Sequence, residues 1–319
     1  MLGSNLVCAQ AERCSALLKR GRGCPKGGAP SFAGLRVLTG FLLFLLICVG
    51  PSSMAADRVI PAPKSPWGRV VMIGASATAG FTASEMLGGT NTQLLRLSRY
   101  VDAALIPLHE PVESLAHALF FMQPEAAGQN QIRDALEAKP TLVIGVDFLF
   151  WFCYGTQART DAERQKRFEH GLKLLGAIEC PLIVGDIPDA SAAVGGMLSE
   201  SQMPSAASMA AANRRLKEWA VTRPKVVVMP LAAFMRAAMA NQPLVLRGHT
   251  WQAGQTRRLL QDDLLHPSPP GAAALAFALM DVFQSTRPQQ TTNEIRWNPT
   301  EILRLGSKTI SFPALRTTP

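Results

Sequence analysis

This sequence predicts an α/β fold in which a central parallel sheet is covered by helices, and three observations carry the prediction. Apolar, β-branched runs recur at residues 69–73, 141–146, 181–184 and 225–229, the pattern of sheet strands. Helix-like stretches lie between them, and strands that alternate with helices specify parallel pairing. The 319-residue chain is 48% hydrophobic and only 17% charged, which suits one sizeable α/β domain with extensions better than two domains or a disordered chain.

In chain order, the first element is a leader. Residues 1–56 hold Arg13, Lys19, Arg20, Arg22, Lys26 and Arg36 against one Glu, so +5 of the formal net charge of +9 sits there and +4 remains for the rest. That remainder has no basic stripe interleaved with aromatics, which argues against nucleic-acid binding. An apolar run at 38–49 follows the basic residues, and Ser53 and Ala55 offer a cleavage site. This is the layout of an export signal, and the run is short for a helix crossing roughly 30 Å of hydrocarbon. The expectation is a periplasmic or secreted protein. The alternative is a membrane anchor over residues 35–50.

The helices have readable ends. Thr160 to Glu163 forms a capping box ahead of an apolar face at Phe168, Leu172 and Leu175. A helix over 129–138 should stop at Lys139, because Pro140 disfavours α geometry in the residue before it. Further helices are expected at 91–101 and 206–221 and after Pro269-Pro270-Gly271. A strand is expected near 104–108. Residues 189–212, rich in Ala, Ser, Gly and Met, read as a mobile loop that shapes a substrate mouth at the sheet rim. The domain spans 66–285, and 286–319 reads as a polar tail with one docked strand at 309–312.

Four of the six cysteines belong to the leader. Cys153 and Cys180 should lie at opposite ends of the sheet, too far apart for a disulfide, which needs Cα atoms within about 7 Å. No metal-ligand spacing is present, and His109 and His117 form no partner pattern. Gly74-Ala75-Ser76 with Gly80 lacks the spacing of a dinucleotide fingerprint, so no cofactor is expected.

Two separated motifs carry chemistry. Ser76 follows the first strand in Val70-Val71-Met72-Ile73-Gly74-Ala75-Ser76, at the sheet edge where open α/β folds bind ligands. Its amide, at a strand-to-helix turn, is an unpaired donor suited to an oxyanion. Taken alone, such a serine is an ordinary helix cap. Far downstream stands Asp263-Leu264-Leu265-His266-Pro267, in which one turn can bring carboxylate and imidazole together. Asp263 would then fix the tautomer of His266, and His266 would take the proton of Ser76. Asp262 is a backup for Asp263.

With these blocks in view, the chain resembles the SGNH, or GDSL-type, hydrolase superfamily. The likeness runs over roughly 69–283 and rests on Gly74-Ala75-Ser76, on Asp263 to His266 with Pro267 and Gly271 behind it, and on Ala212-Asn213-Arg214-Arg215-Leu216 with Trp219-Ala220. It implies a flavodoxin-like three-layer α/β/α sandwich and ester hydrolysis through an acyl-enzyme. Two positions depart from the family pattern. Ala75 stands where Asp is usual, and Gly145-Val146-Asp147-Phe148 puts Asp147 at the place of an oxyanion-hole Asn. An ionised carboxylate there would repel the oxyanion, and loss of one such donor costs about 2.7 to 4 kcal/mol in the transition state. Asp147 therefore either stays protonated by burial and donates, or serves structure. The candidates for the glycine that completes the hole are Gly88, Gly89 and Gly128, with none singled out.

The run from Phe148 to Tyr154 leaves a strand at the same rim. Half of it should pack under helices, and the rest should line an acyl or aromatic pocket. Asp186 and Asp189 lie at a strand end near the site, where a substrate contact is open. The functional expectation is an exported serine ester hydrolase acting on a small-molecule, glycan or lipid ester. A silent glycan- or lipid-binding protein and a sugar O-acyltransferase are the alternatives.

Overall fold

The computed structural model describes residues 65–86, 88–287 and 292–308. The leader, its apolar run and the strand expected at 309–312 lie outside the described residues. Among the described residues, no helix is long and apolar enough to cross a membrane.

Five parallel strands form the central sheet in the order β2-β1-β3-β4-β5, a flavodoxin-like order. They are β1 (Val70–Met72), β2 (Glu113–Ser114), β3 (Leu142–Gly145), β4 (Leu182–Gly185) and β5 (Val226–Met229). Val71 pairs with Val143, Ile144 with Ile183 and Val184 with Val228. Every residue of β1, β3 and β4 is buried, as expected when helices cover both faces.

Side chains alternate between two cores, because successive strand residues point to opposite faces. Val70, Met72, Leu142, Ile144 and Ile183 join one cluster, and Val71, Ile73, Val143, Leu182 and Val184 join the other. Chain order names the helices α1 (Ser76–Ala79), α2 (Thr90–Leu94), α3 (Leu97–Ala104), α4 (Pro124–Glu137), α5 (Phe150–Cys153), α6 (Asp161–Leu175), α7 (Ala206–Val221), α8 (Leu231–Met239), α9 (Pro269–Ser285) and α10 (Pro299–Gly306). The first cluster is completed by α3, α8, α9 and α10, the second by α4, α5, α6 and α7. This is the expected three-layer sandwich. A small antiparallel hairpin, β6 (Leu244–Leu246) with β7 (His249–Trp251), stands apart from the sheet.

Local signals set several ends. The capping box of α6 is formed in both directions, with Glu163 N donating to Thr160 Oγ1 at 3.2 Å and Thr160 N to Glu163 Oε2 at 3.1 Å. Helix α7 spans 206–221 as expected, with Ser205 as its cap. Helix α4 begins at Pro124, earlier than expected, since proline suits the first helical turn and Glu125 complements the dipole there. It ends before Lys139, which has φ +51° ahead of Pro140. The helix expected at 91–101 is instead two, α2 and α3, broken at Leu95-Arg96.

Two expectations are corrected. No strand forms at 104–108. Leu105 makes one antiparallel bridge with Ile295, while Ile106 and Leu108 are exposed. The Asp102 carboxylate holds this connection by accepting from Val112 N at 3.2 Å and pairing with His109 Nε2 at 3.2 Å, so sheet pairing starts only at Glu113. Residues 292–308 are also not a tail. Arg296 N donates to Ala104 O at 2.8 Å and Ile106 N to Glu294 O at 3.0 Å, and Ile302 of α10 is fully buried. Gly306 lies so close to Tyr100 that an added Cβ would come within 2.5 Å of its ring.

Candidate active site

The site forms where the chain leaves β1 and β3, the switch point of this strand order and the usual ligand position in such sheets. After β1, Gly74 turns the backbone with φ +143°. A Cβ there would lie 2.0 Å from Asp147 Oδ1, so both the conformation and the space require glycine. Gln131, buried on α4, grips this residue on both sides: Gly74 N donates to its Oε1 at 2.7 Å, and its Nε2 donates to Gly74 O at 2.9 Å.

Ser76 is the first residue of α1. Its amide therefore has no intrahelical acceptor. The Ala75 side chain cannot cap this helix, and Asp147 does so from the end of β3. Its Oδ1 accepts from Ala75 N at 3.0 Å and from Thr78 Oγ1 at 2.6 Å, while Oδ2 accepts from Thr78 N at 3.1 Å. Burial is the largest influence on this carboxyl and pushes its pKa up, against the hydrogen bonds from Thr78 and Ala75.

The other half comes from the turn before α9. Asp263 Oδ1 accepts from Leu265 N and His266 N, both at 3.0 Å, and Oδ2 meets His266 Nδ1 at 2.7 Å. These bonds hold Leu264 at φ +58°, a left-handed conformation that costs an L-residue roughly 1–2 kcal/mol. His266 Nε2 lies 2.8 Å from Ser76 Oγ. With Nδ1 protonated toward Asp263, Nε2 is left to accept the Ser76 proton.

Burial works to raise the Asp263 carboxyl, but His266 and two backbone amides outweigh it and leave the pKa below the ordinary value. Phe81 stacks on the His266 ring at 4.1 Å. Gln261 ties the two together, donating from Nε2 to Phe81 O at 2.7 Å and to Pro267 O at 2.9 Å. The structure thus brings Ser76, Asp263 and His266 into one hydrogen-bonded chain. Asp262 is exposed and takes no part in the His266 bonds.

Beside Ser76 and His266 opens an apolar cleft with an empty volume, mouth included, of about 590 Å³. Phe150 and Trp151 line it, whereas Phe148 and Phe152 pack with Phe120 in the core. Two arginines set the aromatic helix α5 in place. Arg167 donates to Trp151 O at 3.1 Å, and Arg164 to Cys153 O at 2.9 Å and Gly155 O at 3.1 Å. Both are buried, and cations at a helix C-terminus complement its carbonyls.

Other expected contacts resolve differently. Asp186 accepts from Ala232 N at 2.7 Å and Asp189 from Ser191 N at 2.9 Å, so both are engaged with backbone. Of the 189–212 segment, Ala190, Ala193 and Leu198 are buried, and the preceding Pro188 lines the cleft. Asn213 fixes that approach through two hydrogen bonds to Ile187 at 2.7 and 2.8 Å. Gly128 sits inside α4, where an added Cβ would meet the Phe148 and Phe152 rings, and neither it nor Gly88 or Gly89 lines the cleft. Cys153 and Cys180 are free thiols, and burial raises Cys153 to about 12. Among the described residues no cluster of side chains could hold a metal.

Gln131, Thr78, Phe81, Arg164 and Arg167 were not singled out by sequence. The signal for three of them was a polar residue on an apolar helix face: Gln131 beside Ile132 and Ala135, and the two arginines beside Phe168.

No protein-family model matches the chain, and no curated protein matches it. Among solved structures it is similar to a gut microbial diltiazem-metabolizing enzyme, at 11% identity and TM-score 0.40 over 72% of this chain and 49% of that one. The chain thus spans about half the length of that protein. It is also similar to TesA, at 17% identity and TM-score 0.39 over 69% of this chain and 98% of that one. An acetyl esterase mutant with acetate ion matches at 17% identity and TM-score 0.38 over 70% and 99%. At these scores the functional reading rests on the chain's own geometry.

Proposed function

We propose that the protein is a serine ester hydrolase of the SGNH type, in which Ser76 attacks the ester carbonyl. The observation that carries the reading is the chain Ser76 Oγ to His266 Nε2 at 2.8 Å and His266 Nδ1 to Asp263 Oδ2 at 2.7 Å. As the bond from Ser76 Oγ to the carbonyl carbon forms, the serine proton passes to His266 Nε2. Asp263 stabilises the resulting imidazolium. His266 then protonates the departing alcohol as its C–O bond breaks, and water attacks the acyl-enzyme by the same route.

The oxyanion falls to the Ser76 amide, and Asp147 serves structure by capping α1. Its oxygens are occupied by three donors from the nucleophile turn. A hole without a side-chain donor supports slow turnover. That same feature favours a second reading, a binding protein on this scaffold that is catalytically silent. Export belongs to the proposal and rests on the sequence of residues 1–56.

Hydrolysis of short p-nitrophenyl esters separates the two readings. Wild type is expected to turn over, and Ser76→Ala to lose turnover while keeping its melting temperature. Equal activity in both proteins would remove Ser76 from the mechanism, and inactivity of wild type would favour the silent reading.

A further inference from the structure

We infer that the cleft beside Ser76 receives an unbranched fatty acyl chain, which makes the preferred substrate a medium- or long-chain acyl ester rather than an acetylated glycan. This rests on the hydrolase reading above and specifies its substrate.

Two helices from opposite faces of the sheet supply the walls. Phe150 and Trp151 come from α5, Leu231, Phe234 and Met235 from α8, and Leu265 from the turn that carries His266. The charged or hydroxyl-bearing residues in the lining are Ser76, Asp147 and His266. The first and last bond each other, and the Asp147 oxygens are taken by Ala75 and Thr78. None of the three is spare to receive a sugar. A glycan hydroxyl placed here would exchange its water for few partners, the Trp151 indole N–H being the one uncommitted side-chain donor in the lining, whereas methylene groups gain from every apolar contact.

The chemistry fixes which half of the ester occupies the cleft. The alcohol must depart in each cycle past His266, which protonates it. The acyl group remains joined to Ser76 Oγ until water releases it, so an apolar recess adjoining Ser76 holds the part that stays. The buried arginines of α6 support this role, since they anchor carbonyls of α5, the helix that presents Phe150 and Trp151.

The test is kcat/KM for p-nitrophenyl acetate, butyrate and octanoate with one leaving group, in wild type and Met235→Trp. Alongside it, octanoate and acetate binding to Ser76→Ala is measured by calorimetry. Expected is a rise of at least about tenfold from acetate to octanoate, below the ceiling of roughly fourfold per methylene. Met235→Trp should lower the octanoate-to-acetate ratio, and Ser76→Ala should bind octanoate but not acetate. A flat or falling series with acetate turned over overturns the acyl assignment and leaves the hydrolase intact. Octanoate binding without turnover of any ester supports the cleft while removing the hydrolase reading. Neither binding nor turnover overturns both.

Discussion

Two aspartates hold the two halves of this site, and they do so with nearly the same set of bonds. Asp263 accepts from two backbone amides of its turn and from one side chain, His266. Asp147 likewise accepts from two amides and one side chain, Thr78. The third donor separates them. In the proposed mechanism the imidazole carries a proton to and from Ser76, so Asp263 joins a relay; a threonine hydroxyl carries none, so Asp147 serves as a brace. Burial divides them further, raising the Asp147 pKa while the His266 partnership lowers that of Asp263. A carboxylate that organises a turn becomes part of a mechanism only when a base shares it.

The sharpest way to break this comparison is to make each aspartate neutral. Asp263→Asn leaves the shape of its turn but favours the wrong His266 tautomer, and kcat is expected to fall about 10⁴-fold with a small change in stability. Asp147→Asn should do the reverse. An amide nitrogen facing the N–H and O–H donors of Thr78 or Ala75 leaves a buried donor unpaired, which costs about 1–3 kcal/mol, and kcat should stay within roughly tenfold. Denaturant unfolding and steady-state kinetics on both variants check this. A kcat loss at Asp147→Asn as large as at Asp263→Asn would make Asp147 a participant rather than a brace.

A smaller effect has opposite signs in the two halves. The depressed Asp263 contributes stability that is present above the unfolded carboxyl value, about 3.9, and is lost as pH falls through its lower folded value. The raised Asp147 binds its proton more readily when folded, so its contribution declines as pH rises from about 3.9 through its raised value. The stability difference between wild type and Asp263→Asn should therefore climb with pH below about 4, and that for Asp147→Asn should decline with pH above about 4. Unfolding curves from about pH 3 to 7 read both slopes. Slopes of the same sign would contradict the assignment of burial to one half and pairing to the other.

The same contrast explains what the sequence made legible. Signals confined to a few residues were readable: the buried strands as continuous apolar runs, α6 through Thr160 and Glu163, and the contiguous Asp263 to His266 turn. Features that depend on distant partners were not. Glu113-Ser114 has no apolar signature and is a strand because Val71 and Met72 pair with it. Residues 292–308 look polar in composition, yet Ile295, Ile302 and Gly306 meet α3 and α9 through three small or apolar contacts spaced along the segment. Asp147 was noticed as an odd residue for an oxyanion hole, but its use as a cap depends on the absence of a capping side chain at Ala75, seventy-two positions away. Gln131 is legible only as a polar residue on a buried face, and its target, the Gly74 backbone, is set by the fold.

The central claim is that Ser76 is a nucleophile activated by His266. Wild type and His266→Ala, treated with a fluorophosphonate and analysed by peptide mass spectrometry, test it directly. The account predicts one adduct on Ser76 in wild type and its loss or strong slowing in His266→Ala. An unlabelled Ser76 in a folded wild-type protein, or labelling that proceeds equally without His266, would contradict it.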